Sequence, residues 1–402
     1  MTALPDAPWR SRPGMDRLLA ALDAKGGATR YVGGCVRDAL LGLEQSDVDL
    51  ATRFTPDEVV KKLEAARIKA VPTGIAHGTI TAVSAGTPVE VTTLRRDVST
   101  DGRRATVAFT DDWRADAARR DFTINALSAD PLSGEVFDYF DGLADLEARR
   151  VRFIGDPLQR IAEDHLRILR FFRFHARFAT GAPDAEGLEA CVARANDLMA
   201  LSRERIADEL LKLLGLPDPT ATVQLMIERG ILRPVLPEIE STEFLERLVR
   251  REQAAGVAPN AIRRLATLLP PQKTWDAEHV ASRLRFSKVQ RSRLLMANGY
   301  LGCLPRETAY YLTTDGAIDQ YLNWAESDEI AVAAASALAG WTPAKLPITG
   351  GAIVARGIEQ GPEVAKAMLM VEACWVQEGF PDKARVNEIA DEVVDQLLRS
   401  SQ

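Results

Sequence analysis

The sequence predicts a mixed α/β domain at the front of the chain followed by an all-helical remainder. Up to about residue 145, short alternating runs are punctuated by glycine turns and brief helical stretches. From about 146 the spacing becomes helical, with Leu166, Leu169, Phe172 and Phe174 set among arginines, and almost no later segment reads as strand. At 402 residues the chain is too long for one compact core and suits two to four domains. Its 46% hydrophobic and 27% charged residues are ordinary globular values and speak against disorder.

Taken in order, residues 14–26 read as a short helix ending at Gly26-Gly27, and TRYVGG as a strand breaking into a glycine turn. VRDALLG resumes as helix, and SDVDLAT reads as a strand beyond a short loop. Further strands are expected at 68–72, 78–84 and 88–94, with a helix at 56–66. In the helical part, proline and glycine cluster near 215–219, 269–272 and 340–351, where breaks are expected. There is no internal repeat and no low-complexity tract.

Cys35, Cys191, Cys303 and Cys374 lie far apart and form neither a CxxC nor a Cys/His cluster, so no zinc site or disulfide framework is expected. The opening MTALPDAPWRSRPG lacks the apolar stretch of a secretion signal, and no run approaches the ~20 apolar residues that span a bilayer, so a soluble, cytoplasmic protein is expected. The net charge of −7 counts weakly against a nucleic-acid partner. Local charge counts more: Arg149 to Arg177 carries eight arginines against Asp156, Glu163 and Asp164, a balance of +5. A solvated helix face is the bland alternative.

Three constellations carry chemistry. In the first, Gly33-Gly34-x-x-Arg37-Asp38 is followed by Asp47-x-Asp49. Glycines at a strand-to-helix turn let backbone N–H groups approach a phosphate, and Arg37, one turn in, can reach the same anion. In a strand, Asp47 and Asp49 project from one face, and two adjacent carboxylates repel unless a cation lies between them. Magnesium, hard and oxygen-seeking, is the natural ion, and two such ions suit in-line phosphoryl transfer. Taken alone, the pair also reads as a solvated loop. The second constellation, Arg119-Arg120-Asp121-Phe122-Thr123-Ile124-Asn125, reads as bare chemistry like a salt-bridge cluster capping a helix. The third is Glu163-Asp164-x-x-Arg167-x-x-Arg170-x-x-Arg173, with Arg177 beyond; read as one helix, steps of three fan the arginines round a groove suited to a triphosphate and an RNA end.

With these motifs in order, residues 28–240 resemble the class II tRNA nucleotidyltransferases and bacterial poly(A) polymerases of the polymerase β superfamily. The resemblance rests on YVGGCVRDALLG, SDVDLAT, RRDFTINAL, DYFDGLADL and EDHLRILRFFRF. HGTITAVSAGTPVEVTTLRRD (77–97) and VRFIGDPLQRIAEDHLRILRFFRFHARF (151–178) look especially like the mitochondrial-type CCA-adding enzymes. It implies a polymerase β-like nucleotidyltransferase head with a mixed sheet at 28–145 after an N-terminal helix at 1–27. A helical neck at 146–215, body at 216–340 and tRNA-binding tail at 341–402 would follow. The implied reaction adds C, C and A to the tRNA 3′ end from CTP and ATP without a template, on two magnesium ions held by Asp47 and Asp49. It also implies that Arg120 contacts the nucleotide, that Asp121 and Asn125 steady the ribose region and backbone, that Arg170 and Arg173 contact phosphate, and that Asp164 and Arg167 read the base. Glu90 stands at the place of the family's third acidic residue and either binds metal or shapes the site.

Rival readings remain. A poly(A) polymerase would carry a Gly-Arg-Arg-Phe signature where this chain reads PTGIAHGTITAV, and CC-only or A-only enzymes differ in loop detail. A catalytically idle RNA-binding homologue would be expected to lose a metal carboxylate or a phosphate arginine, and all are present. A phosphohydrolase tail is disfavoured, since the four histidines, His77, His165, His175 and His279, form no His-Asp dipeptide. His77 suggests a local hydrogen bond, and DVSTDGRRATVAFT resembles the family's flexible catalytic loop. The turn from Gly350-Gly351 through Gly357 to Gly361-Pro362 suggests either backbone contact with an RNA phosphate or a plain interhelical turn.

Overall fold

The computed structural model describes residues 2–44, 47–100, 105–271, 273–299 and 304–400. The chain forms two compact units, one of Met1–Leu213 with Ala221–Val235 and the other of Leu214–Thr220 with Leu236–Gln402.

The first unit is built on a seven-stranded mixed sheet. Its strands are β1 (Thr29–Val32), β2 (Asp49–Thr52), β3 (Lys69–Gly74), β4 (Thr79–Ser84), β5 (Thr87–Thr93), β8 (Ser128–Ala129) and β9 (Val136–Phe137), in the order β3-β4-β5-β2-β1-β8-β9. A separate two-stranded ribbon joins β6 (Arg95–Thr100) to β7 (Ala105–Phe109). Among the described residues only β2 and β5 run parallel, in a register that sets Asp49 opposite Glu90 and Leu50 opposite Val91. The sheet alternates cleanly: Ile80, Ala82, Val89 and Val91 are buried on one face, while Thr79, Thr81, Glu90 and Thr92 stand on the other. A two-residue turn at Ala85-Gly86, both with positive φ, closes the β4–β5 hairpin.

Helices α1 (Met15–Ala21), α2 (Gly34–Leu40) and α3 (Pro56–Ala65) dress this sheet; α3 starts in a Thr55/Glu58 capping box and buries Val59 and Leu63. The expected strands at 68–72, 78–84 and 88–94 are all present. The expected helix at 14–26 is shorter, ending at Ala21 in successive turns, and Asp47 lies just before β2 rather than in it. Where a flexible loop was expected at 97–110, β6 and β7 flank residues 101–104, which lie outside the described residues, as does Cys303. The two-residue strands β8 and β9 carry too few residues for a period to register.

Beyond the sheet come α4 (Trp113–Ala118), α5 (Gly142–Glu147), α6 (Pro157–Glu163), α7 (Arg167–Phe178), α8 (Ala185–Ala193), α9 (Arg203–Leu214) and α10 (Thr220–Glu228). The amphipathic helix α7 buries Ile168, Leu169, Phe171, Phe172, Phe174 and Phe178. Phe122 inserts against it: its ring centroid lies 5.0 Å from that of Phe153 and 5.1 Å from that of Phe174, and Phe153 stacks on Phe171 at 5.4 Å. The Phe122 segment is pinned from below by α5. Thr123 Oγ1 donates to the fully buried Asp145 at 2.6 Å, and Arg152 pairs with the same carboxylate at 3.0 Å.

The second unit is helical throughout its described residues: α11 (Glu243–Ala255), α12 (Ala261–Leu268), α13 (Thr274–Arg283), α14 (Lys288–Asn298), α15 (Pro305–Tyr311), α16 (Thr314–Trp324), α17 (Asp328–Leu338), α18 (Gly350–Val354), α19 (Pro362–Gln377) and α20 (Lys383–Ser400). Two arginines of α12 are buried and paired: Arg263 contacts Glu252 at 2.5 Å and Asp319 at 3.1 Å, and Arg264 contacts Glu252 at 2.7 Å. Helices α18 to α20 close a further core around Ile353, Val371, Trp375, Val386 and Ile389. No described helix is long and apolar enough to cross a membrane.

Gly142 opens α5 beneath the Thr123 turn, where a Cβ would lie 2.4 Å from the Thr123 carbonyl oxygen. Because backbone cannot swing aside as a side-chain tip can, Gly142→Ala is expected to cost about 1–3 kcal/mol, read as a lower urea midpoint. An unchanged midpoint would show that the turn yields freely.

Candidate functional site

The sheet and α7 converge on a cleft of about 950 Å³ in the first unit. All thirteen residues singled out from the sequence line it: Gly33, Gly34, Arg37, Asp47, Asp49, Glu90, Arg120, Asp121, Asn125, Asp164, Arg167, Arg170 and Arg173. One wall is acidic and the other cationic, and each has a local cause.

The acidic wall comes from the β2–β5 register. Asp49 and Glu90 are direct neighbours across parallel strands, and Asp47 lines the same cavity just before β2. Burial, then the neighbouring Glu90 and, more weakly, Asp47, push the Asp49 carboxyl above its ordinary range against the pull of Arg120. Among the described residues, no group of three or more His, Cys, Asp or Glu side chains stands gathered as a finished metal cage. Two carboxylates that crowd one another fit a hard divalent cation that draws its other oxygens from a substrate.

The glycine turn lies beside it. Gly33 has φ +70°, a conformation that favours glycine, and a Cβ there would come within 2.8 Å of the Arg120 Nη1 side-chain tip, which would have to swing aside. Helix α2 begins directly at Gly34. Arg37 does not stand free in the cleft as the sequence suggested. Its guanidinium is buried, donates to Asp38 at 2.6 Å and to the Asn125 side-chain oxygen, and lies 4.1 Å from the Phe178 ring centre. It lines the cleft already engaged by these partners.

The cationic wall is a chain of pairs. Asp121, buried, accepts from its neighbour Phe122 N–H and from Asn125 Nδ2 at 2.9 Å each, and from Arg170 at 2.7 Å and 2.5 Å. Burial alone would raise its carboxyl, but the Arg170 charge and these hydrogen bonds prevail and hold it below the usual carboxylate range. Glu209 of α9 continues the chain, lying 3.7 Å from Arg170 and 2.6 Å from Arg173. Asp116 of α4 holds Arg119 at 2.8 Å and Arg120 at 3.3 Å.

The stretch from Glu163 to Arg173 is not one helix. Helix α6 stops at Glu163 and α7 starts at Arg167, leaving Asp164 extended at the break with φ −153°. Asp164 therefore makes no side-chain pair with Arg167. It accepts from Leu166 N–H at 3.1 Å and from Arg205 at 3.0 Å and 2.8 Å. Arg167 donates through Nη1 to the Arg160 carbonyl at 2.9 Å and Glu163 at 2.7 Å, and through Nη2 to the Arg119 carbonyl at 3.0 Å.

Comparison with known proteins shows the family. Residues 29–152 match the poly A polymerase head domain, and 183–242 match the probable RNA and SrmB-binding site of polymerase A. The mitochondrial CCA tRNA nucleotidyltransferase 1 of Mus musculus is 34% identical over 87% of this chain and 83% of its own length. The chain belongs to the CCA-adding tRNA nucleotidyltransferase family. A CCA-adding enzyme of Lacticaseibacillus paracasei is 31% identical over 92% of this chain and 93% of its own. The crystal structure of the Bacillus stearothermophilus CCA-adding enzyme in complex with CTP superposes with a TM-score of 0.75 at 25% identity, covering 97% of this chain and 100% of that one.

Sequence reasoning missed Asp116, Arg205 and Glu209, the partners that hold the family's arginines and Asp164 in place. Arg205 and Glu209 are four apart on α9, which was a usable signal for one helix face. What they face is not written in their spacing.

Because the folded Asp121 carboxyl titrates below its unfolded value, its stabilisation is present above the unfolded pKa of ~3.9 and is lost as pH falls through the folded one. Asp121→Asn leaves Arg170 without its carboxylate and is expected to cost on the order of 3 kcal/mol at pH 7. The gap to the parent should narrow on acidification below about pH 4, as read from urea midpoints. A pH-independent gap would refute the assignment.

Proposed function

We propose that the cleft completes tRNA 3′ ends, adding C, C and A in turn from CTP and ATP without a nucleic-acid template. The observation that carries this reading is the meeting of an acidic wall and an arginine wall in one cleft, the two halves that nucleotidyl transfer requires. The tRNA 3′ hydroxyl oxygen bonds to the α-phosphorus, the bond to the bridging oxygen of the β-phosphate breaks, and pyrophosphate leaves with that electron pair. The hydroxyl proton passes to the acidic wall and on to water. Asp47 and Asp49 would hold divalent cations, which we assign as two magnesium ions; these supply charge neutralisation at the α-phosphate and activation of the hydroxyl. Glu90 shapes that wall. Arg120, Arg170 and Arg173 receive the triphosphate, with Asp121 and Asn125 steadying the ribose region and local backbone and Gly33-Gly34 giving the phosphates close approach. A reducing compartment such as the cytoplasm suits Cys35, Cys191 and Cys374, all free thiols.

Base choice follows from the donors and acceptors left over. An arginine has five N–H groups, of which Arg167 uses three, leaving Nε–H and one Nη2–H; the Asp164 carboxylate, with about four lone-pair sites, has three engaged. Asp164 can therefore accept one amino hydrogen while Arg167 donates to a ring nitrogen. Cytosine and adenine both show an amino donor beside a ring acceptor; uracil and guanine show the reverse order.

Transcripts ending before CCA, after C and after CC, each given single nucleotides, test the activity. Addition of C, C and A with no further growth is expected, and a long A tract would mark a poly(A) polymerase instead. Asp47→Ala or Asp49→Ala should abolish incorporation with the fold intact, so near-normal extension by either in magnesium would sink the metal assignment.

Mismatched contacts cost ~1–3 kcal/mol each, so Asp164→Ala/Arg167→Ala should raise UTP and GTP use relative to CTP and ATP by tens-fold or more while residual activity survives. Parental rejection of UTP and GTP by a variant that still extends tRNA would show that this pair does not read the base.

A further inference from the structure

Three carboxamides of the second unit gather at one helix end. Asn298 closes α14, and Gln320 and Asn323 stand one turn apart on α16; they are 0%, 4% and 1% exposed. Their amide nitrogens all donate to backbone carbonyls. Gln320 Nε2 reaches Met296 at 2.9 Å and Asn323 Nδ2 reaches Ala297 at 3.0 Å, while Asn298 Nδ2 reaches Ala266 at 3.3 Å and Pro270 at 3.2 Å. Since Met296, Ala297 and Asn298 are consecutive, the three groups meet at the C-terminal turn of α14. Turning any of the amides over would press its oxygen against a carbonyl, so the carbonyls fix which way each one points. Asn298 Oδ1, Gln320 Oε1 and Asn323 Oδ1 are buried, and none has a hydrogen-bond partner among the described residues. Leaving a buried acceptor unmet is costly, and three in one place call for a guest that is positive or that only donates.

We propose that this turn binds a monovalent cation of the potassium kind, a structural site within the second unit. Potassium is held by sets of neutral carbonyl-type oxygens, which is the donor set present. A helix C-terminus adds negative partial charge to it. Asp319, next to Gln320, is already taken by Arg263 at 3.1 Å and Arg293 at 2.7 Å, so no free carboxylate joins the three amides from that residue. That disfavours a divalent ion, because calcium draws on carboxylates and magnesium gives up its water reluctantly. A single water has two hydrogens for three oxygens and leaves one unmet, whereas a cation meets all three at once. Bound there, the ion would tie α14 to α16 and, through Asn298 and its bond to Ala266, to α12.

The test is thermal unfolding of the full chain in potassium chloride and in tetramethylammonium chloride at equal ionic strength. Tm should be higher in potassium by on the order of 3 °C and should climb with potassium concentration. Gln320→Met keeps the length of the side chain and removes its oxygen, so it should lower Tm in both salts and abolish the difference between them. Equal Tm for the parent in the two salts overturns the site. So does a potassium increment that survives in Gln320→Met, which would place the ion elsewhere. If Gln320→Met fails to fold, crystals of the parent soaked in rubidium decide. An anomalous peak in contact with the three oxygens is expected, and water alone at that place overturns the proposal.

Discussion

The ion pair between Asp121 and Arg170 is the joint on which the site depends. It is drawn together by apolar packing, because Phe122, the very next residue, is buried among Phe153, Phe171 and Phe174. Burying a carboxylate is costly unless it is paired and fully hydrogen-bonded, and Asp121 meets both conditions. From it the chain of contacts runs through Asn125 to Arg37 and Asp38 on the glycine-turn side, and through Arg170 to Glu209 and Arg173 on the helical side. The sheet side supplies the acids, α7 supplies Arg167, Arg170 and Arg173, and this one joint ties α7 to the segment that carries Arg120.

Much of this was legible in the sequence because it is local. The glycine turn, the period-two strands and the aspartates at 47 and 49 announce themselves within a few residues, and every candidate site residue lines the one cleft. What was not legible depends on partners far along the chain. Regular steps of three from Asp164 to Arg173 suggested a continuous helix. Asp164 instead stands extended where α6 gives way to α7, tied to Arg205, forty-one residues away. Arg37 looked like a free anion ligand because its spacing from the glycines is right, but Asp38, Asn125 and Phe178 claim it first.

The arginines also explain how an acidic protein of net charge −7 carries a site for polyanions. Arg120, Arg167, Arg170 and Arg173 are each engaged by a carboxylate before any substrate arrives. Their positions are therefore fixed in advance, and little side-chain freedom remains to be lost on binding. Partial neutralisation also lowers the pull on unrelated anions, so shape and hydrogen-bond order weigh more than bulk charge.

The parallel pairing of β2 with β5 has a consequence for how the molecule comes into being. Asp49 and Glu90 become neighbours only after α3, β3 and β4 have been laid down and the crossover has closed, a non-local step of the slow kind. The arginine helix α7 and its brace α9 follow much later in the chain. A polypeptide emerging from the ribosome thus carries its acids well before α7, and the paired arginine wall is complete only once synthesis has passed residue 209.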